Sequence, residues 1–187
     1  MADGLFYVDT REPHFVSDVA AVTMTTTAKA LYPAAAFPVL GGQYFNRPGK
    51  AIKISMWLKF VLAATPGNLS FNVHWGTGAD ANGTLICVAG TPIAATASVT
   101  KCAYLEFVVR CITTGTAGTL QGTGWCIPDQ ALFTTPLTTL PILIPMAGAA
   151  ASATLDLTAA NIVSVQVLQS GTAATVQVQS LLVEALN

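Results

Sequence analysis

Few side chains of this chain could carry out chemistry, and they are not grouped. The only two histidines, His14 and His74, lie far apart and share no motif. General acid–base catalysis or a zinc site would need such a side chain beside further ligands or carboxylates. His74 falls on the outward side of a predicted strand, so we expect an ordinary surface histidine. The sequence therefore predicts no catalytic residue, no cofactor and no metal, and favours a protein that is not an enzyme.

The four cysteines, Cys87, Cys102, Cys111 and Cys126, contain no Cys-x-x-Cys pair of the kind that binds zinc. Each lies in an apolar segment that is typical of a strand. We therefore expect reduced thiols that pack as small hydrophobic groups, while a disulfide remains possible.

Further short motifs could form a cation site, a nucleophile or a phosphate site. Asp80-Ala81-Asn82-Gly83 resembles the start of a calcium loop, but the later carboxylates and the closing Glu are missing, so an Asx-rich turn is expected. The chain has no Gly-x-Ser-x-Gly nucleophile motif. Its short Gly-x-Gly repeats do not open predicted helices, so we do not expect them to bind phosphate.

The composition points towards assembly. Of 187 residues 52% are hydrophobic and only 9% charged, and the net charge is -1. From Cys111 to Asn187 there is no Lys, Arg or His. Such a surface lacks the basic patch that nucleic acid requires and invites self-association. We expect a homo-oligomer that makes no direct contact with nucleic acid.

Neither a leader nor a membrane span is expected. Residues 1–4 lack the basic region of a signal peptide, which predicts synthesis in the cytoplasm. The uncharged stretch 130–155 is long enough to cross a bilayer, but it is interrupted by Pro136, Pro141 and Pro145.

Strict alternation of apolar and polar residues predicts strands. In residues 52–60 every second side chain is large and apolar, and the same pattern recurs in 69–75 and 102–113. Five further segments have the character of strands: 84–89, 119–126, 154–158, 161–168 and 175–184. About eight short strands with Gly, Pro and Asn turns predict an all-β fold, an antiparallel jelly-roll-type β-sandwich. Ser170-Gly171-Thr172 predicts a hairpin between the last two strands.

The first 48 residues differ from the rest. We interpret residues 1–48 as an N-terminal arm and lead-in, and residues 49–187 as the sandwich body. A free tail rarely carries Leu5, Phe6 and Tyr7 in succession. With Phe15, these are the expected anchors on a neighbour or partner. Deleting residues 1–20 is expected to abolish attachment and leave the body folded.

Three tryptophans could form a contact surface. Trp57 faces outward on the first body strand, and Trp75 and Trp125 lie near turns. An exposed tryptophan suits either a subunit contact or a carbohydrate platform. Because few charged residues are present to form a polar rim, we favour a subunit contact for Trp57.

The body resembles a family of bacteriophage virion proteins with a jelly-roll fold. The resemblance covers roughly residues 50–187 and is carried by pattern: Gly49-Lys50-Ala51-Ile52-Lys53-Ile54, Tyr104-Leu105-Glu106-Phe107-Val108-Val109-Arg110, Leu155-Asp156-Leu157-Thr158, Ile162-Val163-Ser164-Val165-Gln166-Val167 and Val176-Gln177-Val178. It implies a non-enzymatic structural protein, and some members resemble capsid decoration (cement) proteins that sit as trimers on the shell.

The resemblance leads to three expectations of function. The first is a decoration protein on the capsid exterior, a trimer that binds the major capsid protein and stabilises the shell. The second is a tail or fibre module that binds a host glycan through Trp57 or Trp75. The third is a jelly-roll shell protein, which the lack of a basic arm disfavours.

Overall fold

The computed structural model describes residues 14–40, 42, 44–80, 83–88, 92–134, 141–144 and 154–186. One 3-10 turn, Ala34–Ala36, accompanies the strands. Twelve strands are described: β1 His14–Ser17, β2 Val22–Met24, β3 Lys29–Ala30, β4 Ala51–Val61, β5 Asn68–Gly76, β6 Thr84–Val88, β7 Ile93–Ala94, β8 Thr100–Thr113, β9 Thr119–Pro128, β10 Ile142–Ile144, β11 Ile162–Gln169 and β12 Ala174–Leu186.

The strands form two antiparallel sheets. The larger sheet has the order β1-β12-β4-β8-β9-β10, and β2 also pairs with β12. The smaller sheet has the order β3-β11-β5-β6, and β7 also pairs with β5. The prediction of an all-β antiparallel sandwich is confirmed.

The core lies between the inner faces of the two sheets. On β4 the alternate side chains predicted to face inward are fully buried, and the partners of β4 on β8 and β12 continue this face. From the smaller sheet, Val163, Val165 and Val167 of β11 join the same cluster. On β4, β8 and β12 the inward side chains are buried at every second position, as the period of a strand requires, whereas β11 is buried on both faces along most of its length.

The strand count of about eight is too low. Seven of the predicted strands are present, but 154–158 contributes only an isolated bridge between Leu155 and Gly118. The strands that sequence reasoning missed have two to four residues each: β1, β2, β3, β7 and β10. Segments this short contain too few residues to show a recognisable alternation. They are strands because pairing with distant parts of the chain holds them in place.

The predicted hairpin at Ser170-Gly171-Thr172 is wrong. β11 pairs with β5 and β12 pairs with β4, so the two strands lie in different sheets. The segment carries the chain from one sheet to the other. The valines of β11 and β12 belong to the same core cluster, to which they contribute from opposite sheets.

Residues from His14 onward pack into the sandwich. β1 pairs with β12 over four residues, and Val19 is buried. The buried Tyr32 hydroxyl donates to the Val163 carbonyl (2.8 Å) and accepts from the Val165 N–H (3.0 Å). The segment interpreted as an arm is therefore, from His14 onward, continuous with the core. The predicted consequence of deleting residues 1–20 needs correction, since that deletion also removes β1 and Val19.

Within the described ranges no helix is long and apolar enough to cross a membrane.

Candidate interaction surface

The outer face of the larger sheet carries a row of side chains in register. Paired residues of antiparallel strands point to the same face, so the pairing of β1, β12, β4, β8, β9 and β10 fixes this row. Its members are, in order, Phe15, Leu182, Ser55, Glu106, Trp125 and Leu143. The next row along the strands contains Trp57, Tyr104 and Ile127. We call the apolar members of the two rows the aromatic platform: Phe15, Leu182, Trp57, Tyr104, Ile127, Trp125 and Leu143.

Exposed apolar residues concentrate on this outer face. Of the eight large hydrophobic side chains that are exposed within the described ranges, only Val39 and Leu85 lie elsewhere. The other six are Phe15, Trp57, Val61, Ile127, Leu143 and Leu186, all of which point outward from the larger sheet. A concentration of exposed apolar side chains on one face typically marks an interaction site.

The centre of the platform is ordered by ring packing and hydrogen bonds. The rings of Trp57 and Tyr104 are 5.3 Å apart, while Trp57 remains 52% exposed. The Tyr104 hydroxyl donates to Glu106 Oε2 at 2.6 Å, and the Ser55 hydroxyl donates to the same oxygen at 3.3 Å. Burial, reinforced by the hydrogen bond to Glu106, raises the pKa of Tyr104. The buried carboxylate thus holds the aromatic ring beside Trp57.

Two of the three basic side chains on the face have partners within it, while Lys59 of β4 has none among the described residues. Lys53 Nζ forms an ion pair with Glu184 Oε2 at 2.5 Å, and this contact raises the pKa of Lys53. Arg110 Nη2 donates to Gln121 Oε1 at 2.5 Å. Pairing inside the face reduces the free energy needed to cover it with an apolar partner.

The residues predicted as contacts fall in two places. Phe15 is 61% exposed and lies with Trp57 on the aromatic platform. Leu5, Phe6 and Tyr7 lie outside the described residues. Sequence reasoning missed Ile127, Leu143 and Leu182 as members of the face. The outward position of Ile127 in an alternating strand could have identified it.

Trp75 cannot serve as an exposed sugar platform. It is buried in the core, and its indole Nε1–H donates to the Asp156 carbonyl at 3.3 Å. Its ring packs against Phe45 at 5.7 Å. Of the two tryptophans considered for glycan binding, Trp57 alone is exposed.

The prediction that His74 is a surface histidine is wrong. Although His74 is on the outer side of β5, only 9% of it is exposed. Nδ1 lies 3.2 Å from the Gly83 carbonyl oxygen, and the buried Nε2 has no hydrogen-bond partner. Burial lowers the pKa of His74. The residue faces its cross-strand neighbour Ser164 and has a structural role.

His74 should make stability depend on pH below its unfolded pKa of about 6.5. Because the folded pKa is lower, the unfolded chain binds the proton first, and stability falls as pH drops from there towards the folded pKa. Each unit of pKa depression corresponds to about 1.4 kcal/mol. Urea unfolding should show that the free energy of unfolding falls less between pH 7.5 and pH 5 for His74→Gln than for the wild type. His14→Gln is the control, and equal losses in wild type and His74→Gln would contradict this role.

The acidic turn is held by protein contacts. Asp80 Oδ2 accepts from Lys29 Nζ at 2.8 Å and Oδ1 from the Ala30 N–H at 2.9 Å. Burial opposes ionisation, but these bonds outweigh it and lower the pKa of Asp80. Among the described residues no three His, Cys, Asp or Glu side chains are grouped as metal ligands.

The thiols are unpaired where they are described. Cys111 and Cys126 are buried as predicted, while Cys102 is half-buried on the outer side of β8. Burial raises the pKa of Cys126 to about 12 and also raises that of Cys111. These two thiols therefore have little nucleophilic character. The Cys87 side chain lies outside the described residues.

Comparison with known proteins shows no family. No protein-family model matches the chain, and no curated protein matches it. A solved structure of beta-fructofuranosidase from Schwanniomyces occidentalis, complexed with fructosyl-erythritol, aligns at a TM-score of 0.28 and 6% identity. The alignment covers 100% of this chain and 35% of that one. A similarity this low carries no argument about fold or function.

Proposed function

We propose that this chain is a non-enzymatic structural protein of a phage virion, a decoration protein that binds the outside of the capsid and stabilises the shell. The observation that carries the proposal is the aromatic platform, beside which Lys53 and Glu184 are paired with one another. Such a surface is suited to permanent contact with protein. The low charge of the whole chain fits the same role. We infer a location in the virion from the resemblance of the body to phage virion proteins.

The sandwich is proposed to have jelly-roll connectivity. The first long strand, β4, pairs with the last strand, β12, in the larger sheet. The second, β5, pairs with the strand before the last, β11, in the smaller sheet. Nested pairing of this kind arises when a long antiparallel ribbon folds across itself, which is how a jelly roll is built.

The proposed mechanism is mechanical. Copies assemble as a trimer and contact the major capsid protein across the joints between capsid subunits. Each joint then gains apolar contact that must be lost before the shell opens. At about 25 cal/mol per Å² of apolar area, a modest footprint contributes several kcal/mol before ordering costs are subtracted.

The N-terminal segment is proposed to grip the capsid through Leu5, Phe6 and Tyr7. A deletion of residues 1–13 tests this more cleanly than one of 1–20, because the described strands begin at His14. Capsids of the encoding phage, stripped of this protein, should bind the full chain in co-sedimentation and should lose most binding to the deletion variant.

A matched variant controls for the shortened length. Residues 5–7 replaced by Ser-Ser-Ser keep the chain length and should bind as weakly as the deletion variant. Normal binding by both variants would contradict the role of this segment. A full chain that does not bind the stripped capsids would contradict the proposed function itself.

A second candidate function is glycan binding by a tail or fibre module. The exposure of Trp57 beside the Tyr104 ring is the observation that favours it. Titration with host surface polysaccharide would then quench tryptophan fluorescence in the wild type and not in Trp57→Ala. Absence of quenching would remove this candidate.

A further inference from the structure

We infer that the aromatic platform is buried between copies of this chain, with Trp57 near the centre of the contact. The inference deepens the proposed function, on which it rests, by naming the surface through which the subunits assemble. It also assigns separate roles to two parts of the chain, since capsid attachment is proposed for the N-terminal segment. The argument uses the size, the charge and the hydrogen bonding of the face.

The size of the face matches a stable protein contact. Six strands spaced about 4.8 Å apart span about 24 Å, and β4 extends for about 33 Å at a rise of about 3.3 Å per residue. The resulting area is on the order of 800 Å², which is what each partner buries in an interface of standard size. In the proposed trimer the three faces meet around the three-fold axis, and each is covered by parts of its two neighbours.

The charges of the face suit contact with a copy of itself. Lys53 and Glu184 neutralise one another, and Glu106 accepts hydrogen bonds from Tyr104 and Ser55. A highly charged partner would leave its own charges unpaired against such a surface, at a large free-energy cost. A second copy brings the same paired groups, a single unpaired cation at Lys59 and a chain net charge of -1, so repulsion between copies is small.

The hydrogen bonding around Trp57 disfavours a sugar as the occupant. Carbohydrate recognition places polar groups beside an aromatic ring so that they can bond to ligand hydroxyls. Here the hydroxyl protons of Ser55 and Tyr104 are both donated to Glu106 Oε2. On the same face Trp57 is flanked by Tyr104 and Ile127 in its own row, and by the polar Ser180 on β12 and Lys59 on β4. A rigid aromatic residue near the centre of a face is typical of a protein–protein hot spot.

The test compares Trp57→Glu with Val39→Glu by sedimentation velocity. Both residues are 52% exposed, but Val39 lies outside the platform. The wild type and Val39→Glu should sediment as the same oligomer. Trp57→Glu should dissociate to monomer, with an assembly Kd at least about 100-fold weaker, as expected for loss of a hot-spot residue. Ile127→Glu is a second platform variant in case Trp57→Glu does not fold, which circular dichroism would reveal.

The outcomes separate this inference from the proposed function. An oligomer that persists in both Trp57→Glu and Ile127→Glu would overturn the inference, because assembly would then use another surface. A monomeric wild type would also overturn it. If glycan quenched the tryptophan fluorescence of that monomer, the glycan-binding function would be favoured instead. Binding of stripped capsids by the wild type is measured separately and decides the proposed function in each case.

Discussion

Replacing Phe107 by Ala should lower the free energy of unfolding by about 3–5 kcal/mol, the usual cost of emptying a large aromatic site in a core. Phe107 is fully buried at the centre of β8, between Ile54 of β4 and Gly124 of β9. A Cβ at position 124 would lie 2.6 Å from the Phe107 ring, so the ring packs directly over the glycine. No neighbouring side chain on β9 can fill the space that the ring leaves.

Val108→Ala is the matched control for this prediction. Val108 is the next residue of β8, points to the opposite face and is only half-buried. Its truncation should cost less than about 1 kcal/mol, in line with surface substitutions. Urea unfolding followed by tryptophan fluorescence gives both values. Equal costs for the two variants would contradict the assignment of the inner and outer faces of β8.

Deleting residues 1–20 should destabilise the fold by about 2–4 kcal/mol more than deleting residues 1–13 does. The longer deletion removes β1, the buried Val19 and two backbone hydrogen bonds, from Asp18 N–H to Gln179 O (3.0 Å) and from Val19 N–H to Val178 O (2.9 Å). It also exposes the edge of β12, which invites aggregation.

Thermal unfolding of the two deletion variants at several protein concentrations would measure this difference. The comparison matters for the attachment hypothesis, because lost capsid binding by the longer variant could reflect lost structure. If both deletions left the melting temperature unchanged, the pairing of β1 with β12 would not contribute to stability.

The long strands could be predicted from sequence because one side of each is buried. β4, β5, β8 and β9 have nine or more residues each, and their alternation specifies which face lies inward. β1 and β10 could not be predicted, since three or four residues do not establish a period. The hairpin error at Ser170-Gly171-Thr172 has a similar origin, because local turn residues do not reveal which sheet the next strand joins.

The candidate surface could be predicted only in part. The outward position of Trp57 follows from alternation alone, and its exposure agrees with that. The gathering of Phe15, Ile127 and Leu143 on the same face depends on strand order, which is set by long-range pairing. His74 shows that alternation can also predict too much exposure. An outward position on a strand does not imply exposure when other parts of the chain cover the sheet.

The central claim, that this chain works as a self-assembling structural subunit, is tested most directly by its molar mass in solution. Light scattering on the purified wild type across a dilution series should give a stable trimer, at three times the chain mass of 19.3 kDa. A mass of 19.3 kDa at every concentration would contradict the claim, because the aromatic platform would then remain exposed in the free protein.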